Sequence, residues 1–184
     1  DRFYGAEPDQ VRLVSHQFYQ AMAELRFLPN SPTLMNAGTK FQQISSCFVL
    51  PINDTMESIF NSLRDAALIH QRGSGTGFSF SRLRPKGDAV RKQLGVAAGP
   101  VAFLRVYDAA LDAIKQGGIR PGANMAVLRV DHPDIIRFIE SKRDKKSLKN
   151  FNISVAVTDN FLRAVEADRE YYLVHPKNEK YTGK

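Results

Sequence analysis

Cys47 is the only cysteine of this 184-residue chain, and it heads a short apolar run, Ser46-Cys-Phe-Val-Leu-Pro51. A lone thiol has two readings. It packs as a small hydrophobe, since free cysteine is among the most buried residue types, or it does redox chemistry, which requires a second thiol that these residues do not contain. The next candidates are two glycine-rich turns, Gly73-Ser-Gly-Thr-Gly77 and Gln116-Gly-Gly-Ile-Arg-Pro-Gly122. Arg72, Arg82 and Arg84 stand near the first, and Arg120 lies in the second. Glycine lets backbone N–H groups approach a ligand closely, and the planar arginine fork matches phosphate oxygens, so the pairing suits a nucleotide. The same residues also suit a structural turn on a soluble surface, and locally both readings stand. His16, His70, His132 and His175 show no metal-ligand spacing, so no metal site is expected. His132, before Pro133, is expected to help a turn.

The elements that must position these residues follow from periodicity. Val11, Val14, Phe18, Met22 and Leu25 recur at helical spacing from Pro8 to Arg26, a helix that Pro29 and Pro32 should end. Ser31 to Gly38 reads as an extended segment closing in a turn, and Ser46 to Leu50 as a buried strand. Asp54, with Glu57 three residues on, reads as the cap of a second helix running to about Arg72. Gly73 to Gly77 then lead into a strand at Phe78-Ser-Phe-Ser81. That order, helix then glycines then strand, is the reverse of the dinucleotide fingerprint, which places phosphate at a helix N-terminus. A third helix follows Gly99-Pro100 and stops at the second glycine turn. A strand from Asn124 to Val130, a helix from Asp131 to about Lys142, a strand from Asn150 to Val157, a helix capped by Thr158 or Asp159 and a last strand at Tyr171 to Val174 complete the chain. Strands alternating with helices predict an α/β protein with mainly parallel pairing.

Composition sets outer bounds. A net charge of +7 and a pI near 9.6 favour polyanionic partners. The basic run Lys142 to Lys149 has no aromatic interleaving, so it reads as a solvated loop and not as a single-strand platform. No apolar run approaches the roughly 18 to 20 residues of a membrane span, and the first residues lack a signal pattern. One cysteine forms no internal disulfide, so a reducing, cytoplasmic setting is expected.

Taken together, Ser31-Pro-Thr-Leu-Met-Asn-Ala-Gly-Thr39, Ser46-Cys-Phe-Val-Leu-Pro51, Gly73 to Gly87 and Gln116 to Met125 closely resemble ribonucleotide reductase. With Val127 to Asp134 and Asn150 to Val155, the resemblance is greatest to the adenosylcobalamin-dependent class II enzymes. It implies the first half of a ten-stranded α/β barrel over residues 29–184, preceded by the end of an N-terminal helical region over 1–28. It also implies thiyl-radical reduction of ribonucleotides to 2′-deoxyribonucleotides. By motif position Cys47 resembles one of two reductant cysteines, while the second reductant and the radical cysteine are expected in later segments, so these residues alone are expected to be inactive. Thr33 and Ser46 resemble substrate contacts, and Gly75 a glycine over which substrate lies. Asp54, Thr55 and Met56 resemble the site recognising an effector deoxynucleotide's sugar, and Arg84 and Arg91 its phosphate ligands. Gln116, Gly117, Gly118, Arg120 and Asn124 resemble the second specificity loop. The implied partners are a ribonucleotide, a dNTP effector, a second copy of the chain and a thioredoxin or glutaredoxin-type reductant, with no membrane and no direct nucleic acid. Adenosylcobalamin is expected mostly outside these residues. Lys92-Gln-Leu-Gly95 and Pro121 depart from the family pattern, leaving effector preference open. The alternatives are a class I large subunit with a separate radical-generating partner, a deoxynucleotide-sensing module without catalysis, and a basic nucleic-acid-binding domain.

Overall fold

A computed structural model describes residues 7–40, 43–71, 73–89, 95–114, 123–144 and 147–183. The chain forms two compact units, Asp1–Ser45 and Ser46–Lys184. The expected boundary at residues 28 and 29 falls inside the first, between its two helices.

The first unit holds α1 (Pro8–Ala23) and α2 (Ser31–Asn36). Pro8 and Asp9 suit the first turn of α1, where an N–H is dispensable and negative charge meets the helix dipole. The helix ends before the prolines are reached. Leu25 takes a left-handed φ of 56°, its N–H bonds the Met22 carbonyl, and the Arg26 N–H bonds the Ala21 carbonyl. This is the closure that glycine usually makes. Residues 31–36 are helical where an extended segment was expected. The Asn30 side chain accepts the Thr33 N–H at 3.0 Å, and Pro32 fits the first turn, so a cap outweighs the paired prolines.

The second unit is a parallel sheet of β1 (Cys47–Leu50), β2 (Gly75–Ser79), β3 (Asn124–Arg129) and β4 (Phe151–Ala156) in chain order. Between them run α3 (Met56–Gln71), α4 (Pro100–Ile114) and α5 (Ile135–Glu140), and α6 (Asp159–Glu166) follows β4. This is the α/β alternation with parallel pairing that the sequence predicts. Strands in chain order, joined by crossovers of one hand, carry their helices on one face. The sheet is thus built like a section of barrel wall and not like a doubly wound sheet, whose strand order reverses. A short antiparallel pair, β5 (Leu173–Val174) and β6 (Tyr181–Gly183), closes the described chain; its second strand was not expected.

The core lies between sheet and helices. Phe78, Ala126, Leu128 and Phe151 meet Ile59 and Ala66 of α3, Leu104, Tyr107 and Leu111 of α4, and Phe138 of α5. The Tyr107 ring stands edge-on to Phe78 at 5.0 Å, and its hydroxyl donates to the Ile59 carbonyl at 2.6 Å, tying α4 to α3. Burial pushes the Tyr107 hydroxyl up to about 12. His132 is buried and spans a turn: Nδ1 accepts the Asp134 N–H at 3.0 Å, so Nε2 carries the proton given to the Leu83 carbonyl at 2.8 Å. Burial lowers its pKa and keeps the ring neutral. No helix among the described residues is long and apolar enough to cross a membrane.

Candidate functional site

Parallel pairing sets Cys47 beside Gly75 and Val49 beside Gly77, then Gly77 beside Met125 and Met125 beside Asn152. Paired residues share a face, so these side chains stand on the side of the sheet opposite the helices. Val49 is 86% exposed and Met125 44%. β1 is therefore not the buried strand that its apolar run predicts: Cys47 and Val49 are exposed, and only Phe48 and Leu50 turn toward the core. The Cys47 thiol is free and accessible, with its sulfur 3.6 Å from the Ser46 hydroxyl. Cys47 is thus not packed into the core of this unit.

The two glycines facing Cys47 and Val49 differ in kind. A Cβ at Gly75 would lie 2.6 Å from the Ala123 carbonyl oxygen, so no side chain fits without moving backbone. A Cβ at Gly77 would meet nothing nearer than the Val49 methyl at 3.9 Å. Gly75 is required by a close approach of two strands, while Gly77 leaves a bare patch between Val49 and Met125. Together they make a smooth floor bordered by the thiol. Ser46 joins it through its carbonyl, which accepts the Gly75 N–H at 2.7 Å. Thr33 lies in the first unit, its hydroxyl 2.6 Å from Asn30 Oδ1 and 3.0 Å from the Ile44 carbonyl, so its single proton serves one of them at a time.

On the helix side, Arg84 and Asp54 form a forked pair across 30 residues of sequence. Arg84 Nε and Nη2 each donate to Asp54 Oδ2 at 2.8 Å, and the Arg84 backbone N–H donates to Oδ1 at 3.2 Å. Both side chains are about one-fifth exposed, at 20% and 21%. Because Asp54 is held there, Thr55 caps α3 instead, accepting the Ser58 N–H at 3.1 Å, and the Ser58 hydroxyl accepts the Asn53 N–H at 2.9 Å. The expected cap at Asp54 is thus displaced by one residue. Asp54, Thr55, Met56 and Arg84 line a single cleft of about 280 Å³, whose far wall is Gly99 and Phe103 at the start of α4. The structure brings these four expected residues together. Arg91 lies outside the described residues, as do Gln116, Gly117, Gly118 and Arg120.

Asn124 is 2% exposed and turns into the helix-covered side of the sheet, away from the glycine floor. A larger cavity of about 580 Å³ opens where β2, β3 and β4 end, lined by Arg82, Arg129, Asp131 and His175 among others. Arg82, which stands near the first glycine turn, lines it, but none of the site residues that the family resemblance implies does. Arg129 is spent there on Asp131, through bonds of 2.9 and 2.5 Å. Thr76 and His70, both buried, are marked in the sequence only as a polar residue between two glycines and a histidine at an inward helical position. Among the described residues no three acidic, histidine or cysteine side chains cluster as metal ligands.

Comparison with known proteins gives a consistent outcome. Residues 45–184 match the family described as ribonucleotide reductase, barrel domain, and residues 3–42 match ribonucleotide reductase, all-alpha domain. The chain is 55% identical over 166 residues to a vitamin B12-dependent ribonucleoside-diphosphate reductase of Thermoplasma acidophilum, covering 90% of this chain and 22% of that protein. It is 50% identical over 175 residues to the protein of that name from Mycobacterium tuberculosis, covering 95% and 25%. A ribonucleoside-diphosphate reductase large subunit of monkeypox virus is 36% identical over 164 residues, covering 86% and 21%. The chain thus spans at most about a quarter of the length of these curated relatives.

Proposed function

This chain belongs to the ribonucleotide reductase family, and from that premise we propose that it supplies a substrate floor, one reductant thiol and an effector cleft to an adenosylcobalamin-dependent reductase. The observation that carries the reading is the accessible Cys47 thiol beside the Gly75–Gly77 floor. A ribonucleotide lying on that floor presents its 2′-hydroxyl to Cys47. The net reaction replaces the C2′–O bond by C2′–H and releases water. Two thiols give up two protons and two electrons and end as a disulfide, with Cys47 as one of them. A further cysteine, elsewhere in the full protein, takes and returns the 3′-hydrogen as a thiyl radical. A dithiol protein of the thioredoxin or glutaredoxin type resets the disulfide.

Adenosylcobalamin, held by other parts of the full protein, would supply radical chemistry when bound. Nothing among the described residues is built to hold a corrin. The second unit's histidines, His70, His132 and His175, are buried and hydrogen-bonded within the protein, so cofactor binding is assigned to other parts of the full protein. Ser46 borders the floor as a substrate contact, and Thr33 is assigned a second one.

The Asp54–Arg84 cleft takes a dNTP effector, with Asp54, Thr55 and Met56 toward the sugar and Arg84 and Arg91 toward phosphate. Binding there requires Arg84 to exchange Asp54 for phosphate oxygens, which its fork matches equally well. Exposed apolar residues on α3 and α4, Met56, Phe60, Leu68 and Val106, provide the face on which a second copy pairs. Gln116, Gly117, Gly118 and Arg120 carry effector identity toward the substrate base.

The test uses full-length protein with adenosylcobalamin and a dithiol reductant. Cys47→Ser is expected to abolish multiple turnover. Sustained cycling in that variant would remove Cys47 from the mechanism, and dependence on a separate radical-generating protein with no response to the cofactor would favour the class I reading.

A further inference from the structure

Beneath the glycine floor, on the helix-covered side of the sheet, four buried polar residues join in one line. His70 Nε2 in the last turn of α3 lies 3.0 Å from the Thr76 hydroxyl on β2. That hydroxyl donates to Asn124 Oδ1 on β3 at 2.7 Å, and Asn124 Nδ2 donates to the Asn150 carbonyl at 3.1 Å. Asn150, just before β4, gives its N–H to Asp108 Oδ1 at 3.0 Å and its side-chain N–H groups to the Asp108 carbonyl and Asp112 Oδ1, both on α4.

Every direction in this line is fixed by its partners. The Asn150 carbonyl only accepts, so Asn124 must turn Nδ2 toward it and Oδ1 toward Thr76. Thr76 therefore spends its one proton on Asn124, and His70 must carry its proton on Nε2. Apolar side chains could fill this layer without the cost of satisfying each buried polar group. What hydrogen bonds add over apolar contact is defined length and direction.

The line is placed where such definition matters. Thr76 stands between Gly75 and Gly77, and its own N–H is bonded to the Ala123 carbonyl at 3.0 Å, the oxygen against which Gly75 packs. Both helices that meet the line also reach the Asp54–Arg84 cleft: α3 through Met56, α4 through Gly99 just before it and Phe103 within it. We infer that His70, Thr76, Asn124 and Asn150 are positioning residues that lock the glycine floor to α3 and α4, so that an effector in the cleft is felt by the substrate on the floor. The inference rests on the functional reading above, in which those two sites hold effector and substrate.

The experiment measures kcat/KM of the full-length reductase for purine and pyrimidine ribonucleotides, with and without each dNTP, alongside direct dNTP binding. In Thr76→Val, dNTP binding stays unchanged, while the dNTP-driven shift in substrate preference shrinks by at least about fivefold, the lower end of ordinary site-to-site coupling. Thr76→Ser restores the shift, because it returns the hydroxyl. Thr76→Ala, which leaves room for a bridging water, serves if the valine variant does not fold, and the same shrinkage is expected. A shift of wild-type size in either folded variant overturns the inference, as does an equal loss for every substrate with the dNTP response intact. If wild-type protein itself shows no dNTP-driven shift, the effector reading fails first and takes the inference with it.

Discussion

Gly75 and Gly77 sit two residues apart on one strand, yet alanine should affect them in opposite ways. At Gly77 the added methyl meets only the Val49 methyl at 3.9 Å, an ordinary van der Waals distance. Replacing a strand glycine with alanine removes unfolded-state freedom, which stabilises by about 0.4–1 kcal/mol where the backbone conformation allows it. Gly77 does not have a positive φ, so Gly77→Ala should leave stability unchanged or raise it. At Gly75 the methyl would lie 2.6 Å from the Ala123 carbonyl oxygen. Backbone must shift on β2 or β3, an overpacking cost of about 1–3 kcal/mol. Function should follow the other order. Gly77→Ala puts a methyl on bare floor and should raise KM for the ribonucleotide in a protein that is fully folded. Gly75→Ala should lower the denaturation midpoint and reduce activity with it. The assay is denaturant unfolding of the full-length variants paired with steady-state kinetics. A destabilised Gly77→Ala, or a Gly75→Ala as stable as the parent, would refute the reasoning.

Two further predictions concern stability. The buried Tyr107 hydroxyl has a pKa raised from 10.0 to about 12, so its neutral form contributes stability that is complete below about pH 10 and lost as pH rises through about 12. Tyr107→Phe should cost about 1–3 kcal/mol at neutral pH by stranding the Ile59 carbonyl, and the gap to wild type should narrow between pH 10 and 12 in denaturation midpoints; a constant gap would contradict it. Leu25 is 92% exposed in a left-handed conformation that costs a non-glycine residue about 1–2 kcal/mol. Leu25→Gly should therefore slow amide hydrogen exchange in the last turns of α1, and unchanged exchange would argue against the closure described.

How much of this was legible in the sequence depended on the range of the interactions involved. The α/β alternation rests on local periodicity, and it is legible there together with the family. Sequence places the cap of α3 one residue early, because Asp54 is an excellent cap by type but is held by Arg84, 30 positions away. The short helix at residues 31–36 is hidden in the sequence because two prolines suggest extended chain, whereas the Asn30 side chain decides the matter by capping Thr33. The apolar residues of β1 predict a buried strand, but which face a strand exposes is set by its partners. Asn124 was assigned to the specificity loop by motif. Its buried bonds to Thr76 and Asn150 became visible only once three strands were in register.

The chain-order sheet has a consequence for how the protein is made. Each strand pairs with the one synthesised just before it, so no strand must wait for a distant partner. β2 can dock on β1 while β3 is still being translated, and each helix covers its strand pair as it emerges. Each parallel pairing still closes a long crossover, as from Cys47 to Gly75 and from Thr76 to Asn124, which is slow for a parallel sheet, but no pairing has to span more than one crossover. The glycine floor, made where β1, β2 and β3 meet, is therefore among the earliest parts of the sheet to be completed on the ribosome.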